Sequence, residues 1–274
     1  MNEAGTIDAV ARLEAILRSL GDVAVATSGG VDSTTLAALA HEALGARATM
    51  MHAVSPAVPP EATARVRGLA AARGWRLEVL DAREFEDPRY RANPADRCFW
   101  CKTNLYAGIA AATRAAIVSG TNADDLSDWR PGLKAAEAHR VRHPYVEAGI
   151  DKKGVRALAR HLGLGDVAEL PASPCLSSRV ETGIAIDPAD LALVHAAETL
   201  LAARLGARTL RCRVRRSGLV VELEPDALEA LDAGARAALA AEIAALPGGA
   251  RPLAFAPYRM GSAFLRPPQA AHAQ

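Results

Sequence analysis

The stretch Val23-Ala24-Val25-Ala26-Thr27-Ser28-Gly29-Gly30-Val31-Asp32-Ser33 decides the fold. Its apolar opening, residues 23–26, reads as a short buried strand. The following Thr34-Thr35-Leu36-Ala37-Ala38-Leu39-Ala40-His41 reads as a helix with leucines at helical spacing. Between the two, Gly29 and Gly30 admit tight backbone conformations that a side chain would penalise. Ser33 is a candidate cap for the helix, whose first amides form an anion site. A strand, a glycine turn with flanking hydroxyls and a helix start together make a phosphate cradle. The plainer alternative is a glycine-rich turn with no ligand.

The chain around this stretch has 274 residues, enough for one large or two modest domains, and half of them are apolar. A net charge of +1 supplies no global basic field for nucleic acid. The start, Met1-Asn2-Glu3-Ala4-Gly5, lacks a basic n-region and an apolar h-region, and no apolar run approaches a membrane span. These features lead us to expect a soluble cytoplasmic protein without a membrane partner. Four cysteines are too few for a disulfide scaffold, and their spacing suggests chemistry instead.

Ile7, Val10, Leu13, Ile16, Leu17 and Leu20 share one face of an opening helix that ends near Gly21. Further strands are expected at 48–54, 75–82 and 116–119, with helices at 61–73 and 102–114. This alternation implies βαβ units and a parallel sheet, an α/β fold. Ligands of such sheets lie beyond the carboxyl ends of the strands, where the glycine turn and Gly120-Thr121-Asn122 both fall. A smaller α+β domain is expected at 187–274, after a first domain at 1–186. Within it a helix at 189–205 precedes two strands flanking Ser217-Gly218, a hairpin signal. A helix at 226–246 and a strand at 252–258 follow, and the tail from Pro267 to Gln274 reads as frayed.

The usual P-loop, G-x-x-x-x-G-K-[ST], is absent, and no lysine follows the glycines. Ser28-Gly29-Gly30-Val31-Asp32-Ser33 instead resembles the PP-loop of ATP pyrophosphatases, which cleave ATP between the α and β phosphates. That resemblance implies a Rossmann-like sheet, a loop that holds pyrophosphate, and Asp32 helping to position Mg2+. The run Gly120-Thr121-Asn122-Ala123-Asp124-Asp125-Leu126-Ser127-Asp128 gathers three carboxylates after a strand. Alone it could be a solvated turn; beside a phosphate loop it offers oxygen ligands for magnesium. This run, Asp151-Lys152-Lys153-Gly154-Val155-Arg156, Pro174-Cys175-Leu176-Ser177-Ser178-Arg179 and Tyr258-Arg259-Met260-Gly261-Ser262 resemble the LarE family of PP-loop sulfur transferases. The likeness spans nearly the whole chain.

Arg97-Cys98-Phe99-Trp100-Cys101-Lys102 carries a C-x-x-C at the start of a helix, and Cys175 lies in the later motif. A redox pair and a structural zinc site are alternatives, the first lacking a thioredoxin-sized layout and the second a clear fourth ligand. Cys212 shares a strand face with Leu210 and Val214 and reads as core. Three thiolates suit an iron–sulfur cluster with one iron left open for sulfide. The LarE resemblance implies either a 4Fe–4S cluster on Cys98, Cys101 and Cys175 or sacrifice of the sulfur of a lone Cys175, whose pKa Arg179 could lower. The first form matches the cysteine pattern.

Arg211, Arg213 and Arg215 occupy the opposite strand face, which could be ordinary solvated charge. Guanidinium forks also match phosphate, and the resemblance implies that Arg213 and Arg215, with Arg179, bind the substrate. Ser217, Glu222 and Thr182 depart from the family's usual His, Arg and Tyr. The resemblance implies adenylation of a carboxylate of pyridinium-3,5-biscarboxylic acid mononucleotide by ATP. Sulfide or another sulfur donor then gives a thiocarboxylate, in nickel-pincer nucleotide synthesis by a homo-oligomer, a hexamer in the family. A tRNA thiolase, an amide-forming synthetase and a nucleotide-sensing module are the rivals. The first should carry a basic face and the second a glutaminase; the third should release no pyrophosphate.

Overall fold

Val23, Ala24 and Val25 are fully buried, as a strand hydrogen-bonded on both sides and covered on both faces must be. The computed structural model describes residues 3–127, 130–171, 174–207 and 209–265. Along them run α1 (Glu3–Ser19), β1 (Val23–Ala26), α2 (Val31–Leu44), β2 (Ala48–Val54), α3 (Pro60–Arg73) and β3 (Arg76–Asp81). Next come α4 (Pro88–Arg91), α5 (Arg97–Ala112), β4 (Ala116–Ser119), α6 (Pro131–Ala138), α7 (Pro144–Glu147), α8 (Lys152–His161) and α9 (Gly165–Ala168). The chain continues through α10 (Pro188–Leu205), β5 (Leu210–Arg215), β6 (Gly218–Leu223), α11 (Pro225–Glu229), α12 (Ala233–Ala244) and β7 (Leu253–Pro257). The expected frayed tail, 267–274, lies outside the described residues, as do Asp128 and Trp129.

Contacts divide the chain into two units, residues 1–85 with 98–173, and residues 86–97 with 174–274. The second unit thus takes in a short earlier segment, a detour absent from the expected division at 186/187. In the first unit β3, β2, β1 and β4 lie side by side in that order, every pair parallel. Successive residues of a strand point to opposite faces. On one face Val23, Val25, Met50 and Val118 pack with Leu13 and Leu17 of α1, Leu36 and Leu39 of α2 and Leu158 of α8. On the other, Ala24, Met51 and Ile117 pack with Tyr106 and Ile109 of α5 and Ala135 and Ala136 of α6. This is the Rossmann-like α/β arrangement expected from the alternation.

The second unit holds a three-stranded sheet in which β6 pairs antiparallel with β5 and parallel with β7, and α10 packs on β5. The single helix expected at 226–246 is two, α11 and α12. Asp232 breaks it: in an extended conformation it accepts a hydrogen bond from the Ala235 amide at 2.7 Å and starts a new helix as its cap. Among the described residues no helix is long and apolar enough to cross a membrane.

Buried His52 of β2 ties the sheet to the glycine turn. Its Nδ1 lies 2.8 Å from the Thr27 carbonyl and its Nε2 2.9 Å from the Thr63 hydroxyl. A carbonyl only accepts, so Nδ1 carries the proton and Nε2 accepts from Thr63. Burial pushes the imidazole pKa below 6.5, with the Thr27 bond opposing and Arg67 adding to the shift. Below about pH 6.5 the unfolded chain therefore takes up a proton that the fold resists, and stability falls toward the lower folded pKa. Denaturant titrations at pH 7.5 and 5.5 should show this loss shrinking in His52→Asn, whose amide can still donate to Thr27. An unchanged loss would contradict the assignment.

Candidate active site

The glycine turn is shaped by what crowds it. Gly29 has φ +83°, and a Cβ there would lie 2.7 Å from the Ala62 carbonyl oxygen of α3. The Gly29 carbonyl accepts from Arg65 at 2.8 Å. α2 starts at Val31 with Gly30 as its N-cap, and no side chain caps it. Ser33, expected as the cap, instead sits in the first turn and reaches back. Its hydroxyl accepts from the Ser28 amide at 3.0 Å, donates to the Gly30 carbonyl at 3.3 Å and lies 3.0 Å from the Ser28 hydroxyl. The helix starts three residues earlier than a Ser33 cap requires. The first amides of α2 lack intrahelical acceptors, as at any helix start, and are open to an anion.

The end of β4 runs against this helix start. A Cβ on Gly120 would lie 2.8 Å from the Asp32 carbonyl carbon and from the Ser33 nitrogen, so only glycine permits the approach. Asn122 follows; it donates to Asp32 Oδ1 at 3.2 Å while its own side chain caps the turn at 123–126. Asp125 completes that capping box, accepting from the Asn122 amide at 3.1 Å, and pairs with Arg130 at 2.7 Å. Thr121 shares a hydroxyl chain with Ser119 at 3.1 Å, which in turn contacts His143 Nδ1 at 2.9 Å. Burial holds the His143 pKa below its ordinary value, against the pull of Glu147 and Asp125.

Asp32 is the meeting point. Lys152 Nζ lies 2.5 Å from its Oδ2, and the buried Tyr145 hydroxyl donates to its backbone carbonyl at 3.2 Å. Lys152 opens α8, whose N-cap Asp151 accepts from the Gly154 amide at 2.7 Å, and its own amide donates to Asp124 at 3.1 Å. Sequence reasoning missed Lys152, Tyr145 and His143 as parts of this site. The Asp-Lys-Lys signal marks a helix start, but nothing local couples it to a residue so far up the chain. Asp32, about a third exposed, has a carboxylate that could ligate Mg2+ together with nucleotide phosphates, Mg2+ being a cation that takes one or two carboxylates. Asp128 lies outside the described residues.

The cysteines divide between the units. Cys98 and Cys101 stand a turn apart at the start of α5, both half-buried, in the first unit. Cys175 is exposed in the second unit, just before a tight turn at 176–179. Among the described residues, no three His, Cys, Asp or Glu side chains are grouped to hold a metal ion. Cys212 is fully buried, and burial, with Glu198 adding, pushes its thiol up to about 12; it is core.

Two of the expected substrate arginines are occupied. Arg179 is buried, chelates Glu198 at 3.0 and 2.9 Å, and donates to the carbonyls of Pro174 at 2.7 Å and Cys175 at 3.3 Å. It fixes the base on which Cys175 stands. Tyr90 adds a 2.5 Å contact to Ser177. Arg213 is buried against Glu222 at 3.1 Å and donates to the Ser178 carbonyl at 3.1 Å; burial lowers its pKa while Glu222 opposes. Arg215 is partly open and shared between Glu181 at 3.3 Å and Glu222 at 3.1 Å.

No family model matches the chain. It is 37% identical over 209 residues to an uncharacterized protein of Synechocystis sp., covering 75% of this chain and 77% of that one. It is 34% identical over 218 residues to the pyridinium-3,5-bisthiocarboxylic acid mononucleotide synthase of Lactiplantibacillus plantarum, covering 78% of each. An uncharacterized protein of Methanocaldococcus jannaschii is 29% identical over 138 residues, 49% of this chain and 53% of that one.

Proposed function

The chain belongs to the LarE family, that of the Lactiplantibacillus plantarum synthase, and on that premise we propose that it is an ATP-dependent sulfur transferase. Its substrate is pyridinium-3,5-biscarboxylic acid mononucleotide, and its product is a thiocarboxylate. The observation that carries this reading is the convergence of Asn122 and Lys152 on Asp32 beside the first amides of α2. Phosphate-binding groups and a carboxylate are thereby gathered at the ends of β1 and β4.

The α2 amides and the Ser28 and Ser33 hydroxyls bind the β and γ phosphates of ATP. A substrate carboxylate oxygen attacks the α phosphorus, and the bond to the β-phosphate oxygen breaks. Pyrophosphate leaves with the electron pair, and an acyl-adenylate remains. Asp32 would hold Mg2+, which would supply charge neutralisation for that departure. Lys152, paired with Asp32, brings an ammonium to the same loop for the phosphates. Adenylation is needed because a carboxylate is a poor acyl donor. Hydrosulfide then attacks the carbonyl carbon, the bond to AMP breaks, and the thiocarboxylate forms with loss of a proton to solvent.

Cys98 and Cys101, three apart on one helix, share a face and fit as two ligands of an iron–sulfur cluster, and the family resemblance implies Cys175 as the third. A 4Fe–4S cluster so held would offer an open iron for sulfide. A second reading draws on the exposure of Cys175. There the Cys175 thiolate displaces AMP as a thioester. Loss of its Cα proton and cleavage of its Cβ–S bond then leave dehydroalanine and the thiocarboxylate.

Asp32→Asn should abolish pyrophosphate release from ATP, measured with the dicarboxylate mononucleotide present; release at the wild-type rate would contradict the ATP site. After anaerobic reconstitution, Cys98→Ser should lack the broad visible absorbance of a cluster that Cys212→Ser keeps. Retained absorbance in Cys98→Ser would remove it from the ligand set.

A further inference from the structure

Gly29 and Gly30 stand in succession in the glycine turn. A peptide plane between two glycines turns over easily, because neither neighbour has a Cβ to oppose the rotation. Which way that plane faces decides what the turn offers a ligand. Among the described residues no peptide bond is cis, and in a trans peptide the carbonyl and the amide point in opposite directions. With its amide inward the turn presents a donor to phosphate. Turned over, it presents a carbonyl oxygen, which repels one. A contact from outside the turn must therefore hold the Gly29–Gly30 peptide.

α3 supplies that contact. Ala62 and Arg65 are three apart on this helix and share a face. The Ala62 carbonyl crowds Gly29 from below, while Arg65 Nη1 donates to the Gly29 carbonyl at 2.8 Å. At the other end of the same plane, the Gly30 amide faces the Ser28 hydroxyl at 3.4 Å. That hydroxyl lies 3.0 Å from the Ser33 hydroxyl, so the amide joins the groups assigned to phosphate. Its bond is longer than the ordinary range of about 2.7–3.2 Å, which leaves the amide open to a better acceptor. Thr63 of α3, through His52, also fixes the Thr27 carbonyl at the start of the turn. One helix thus grips the turn at two carbonyls. We propose that Arg65 is a positioning residue for ATP cleavage, keeping the Gly30 amide turned toward the β and γ phosphates. It acts through the Gly29 carbonyl and not by touching the nucleotide. This assignment rests on the ATP-site reading above and adds to it a residue from outside the glycine motif.

Titration calorimetry of the full chain with Mg-pyrophosphate, Mg-ATP and AMP tests this role. In Arg65→Met, Mg-pyrophosphate and Mg-ATP should each bind at least about tenfold more weakly, the loss expected for a hydrogen bond from a charged donor. AMP, which lacks the β and γ phosphates, should bind as it does to wild type, which also reports an intact fold. Arg65→Lys, which keeps one charged donor, should recover part of the loss. The ratio of wild-type to Arg65→Met affinity should persist at about 0.5 M salt, where exposed charges are screened. A ratio that fell to one there would make Arg65 a long-range charge and overturn the positioning role. Unchanged pyrophosphate affinity in Arg65→Met, or an equal loss of AMP affinity, would overturn it too. If pyrophosphate binding needs Arg65 but the wild-type protein forms no thiocarboxylate, the positioning role stands and the sulfur-transfer reading falls. Wild-type protein that bound neither Mg-ATP nor Mg-pyrophosphate would overturn both.

Discussion

The first unit depends on one close approach, the backbone of Gly120 against the start of α2. Because glycine carries no Cβ there, the chain leaving β4 can run directly against the backbone of Asp32 and Ser33. Asn122 then falls within hydrogen-bond reach of the Asp32 carboxylate. Parallel strands place all their carboxyl ends on one edge, but sharing an edge does not make two loops share a site. The missing side chain at Gly120 does that, and the capping box at Asn122 and Asp125 fixes the loop once it arrives.

Two ion pairs have opposite uses, and burial decides between them. The Asp32–Lys152 side chains are 29% and 34% exposed. A pair so open to water is worth about 0–1 kcal/mol, so trading it for a cation and phosphates costs little. Arg213 and Glu222 are each 4% exposed. Removing one partner of a buried pair costs about 3–5 kcal/mol, which makes that pair part of the framework. Exchangeable charge sits in the candidate nucleotide loop, and fixed charge supports the second unit's hairpin.

Much of this architecture was legible in the sequence. The strands at 48–54 and 116–119 coincide with β2 and β4, because buried parallel strands are continuous apolar runs between turn signals. The glycine turn and the core position of Cys212 were readable for similarly local reasons. Other features depend on partners distant in the chain. Asp232 reads as one more polar residue in a helical pattern until its cap geometry is seen. Arg179 and Arg213 look like open cations because strand and helix periodicity reports faces, and not what covers them. Glu198 and Glu222 cover them. Lys152 is invisible as a site residue for the same reason.

The central claim is that ATP cleavage at the glycine turn drives replacement of a carboxylate oxygen by sulfur. The direct measurement is mass spectrometry of pyridinium-3,5-biscarboxylic acid mononucleotide after incubation with the protein, Mg-ATP and sulfide under anaerobic conditions. AMP is quantified in the same samples. The account predicts a product heavier by one oxygen-to-sulfur exchange, with one AMP formed for each exchange and none of either without ATP. An unchanged mononucleotide, or sulfur incorporated without AMP, would contradict it.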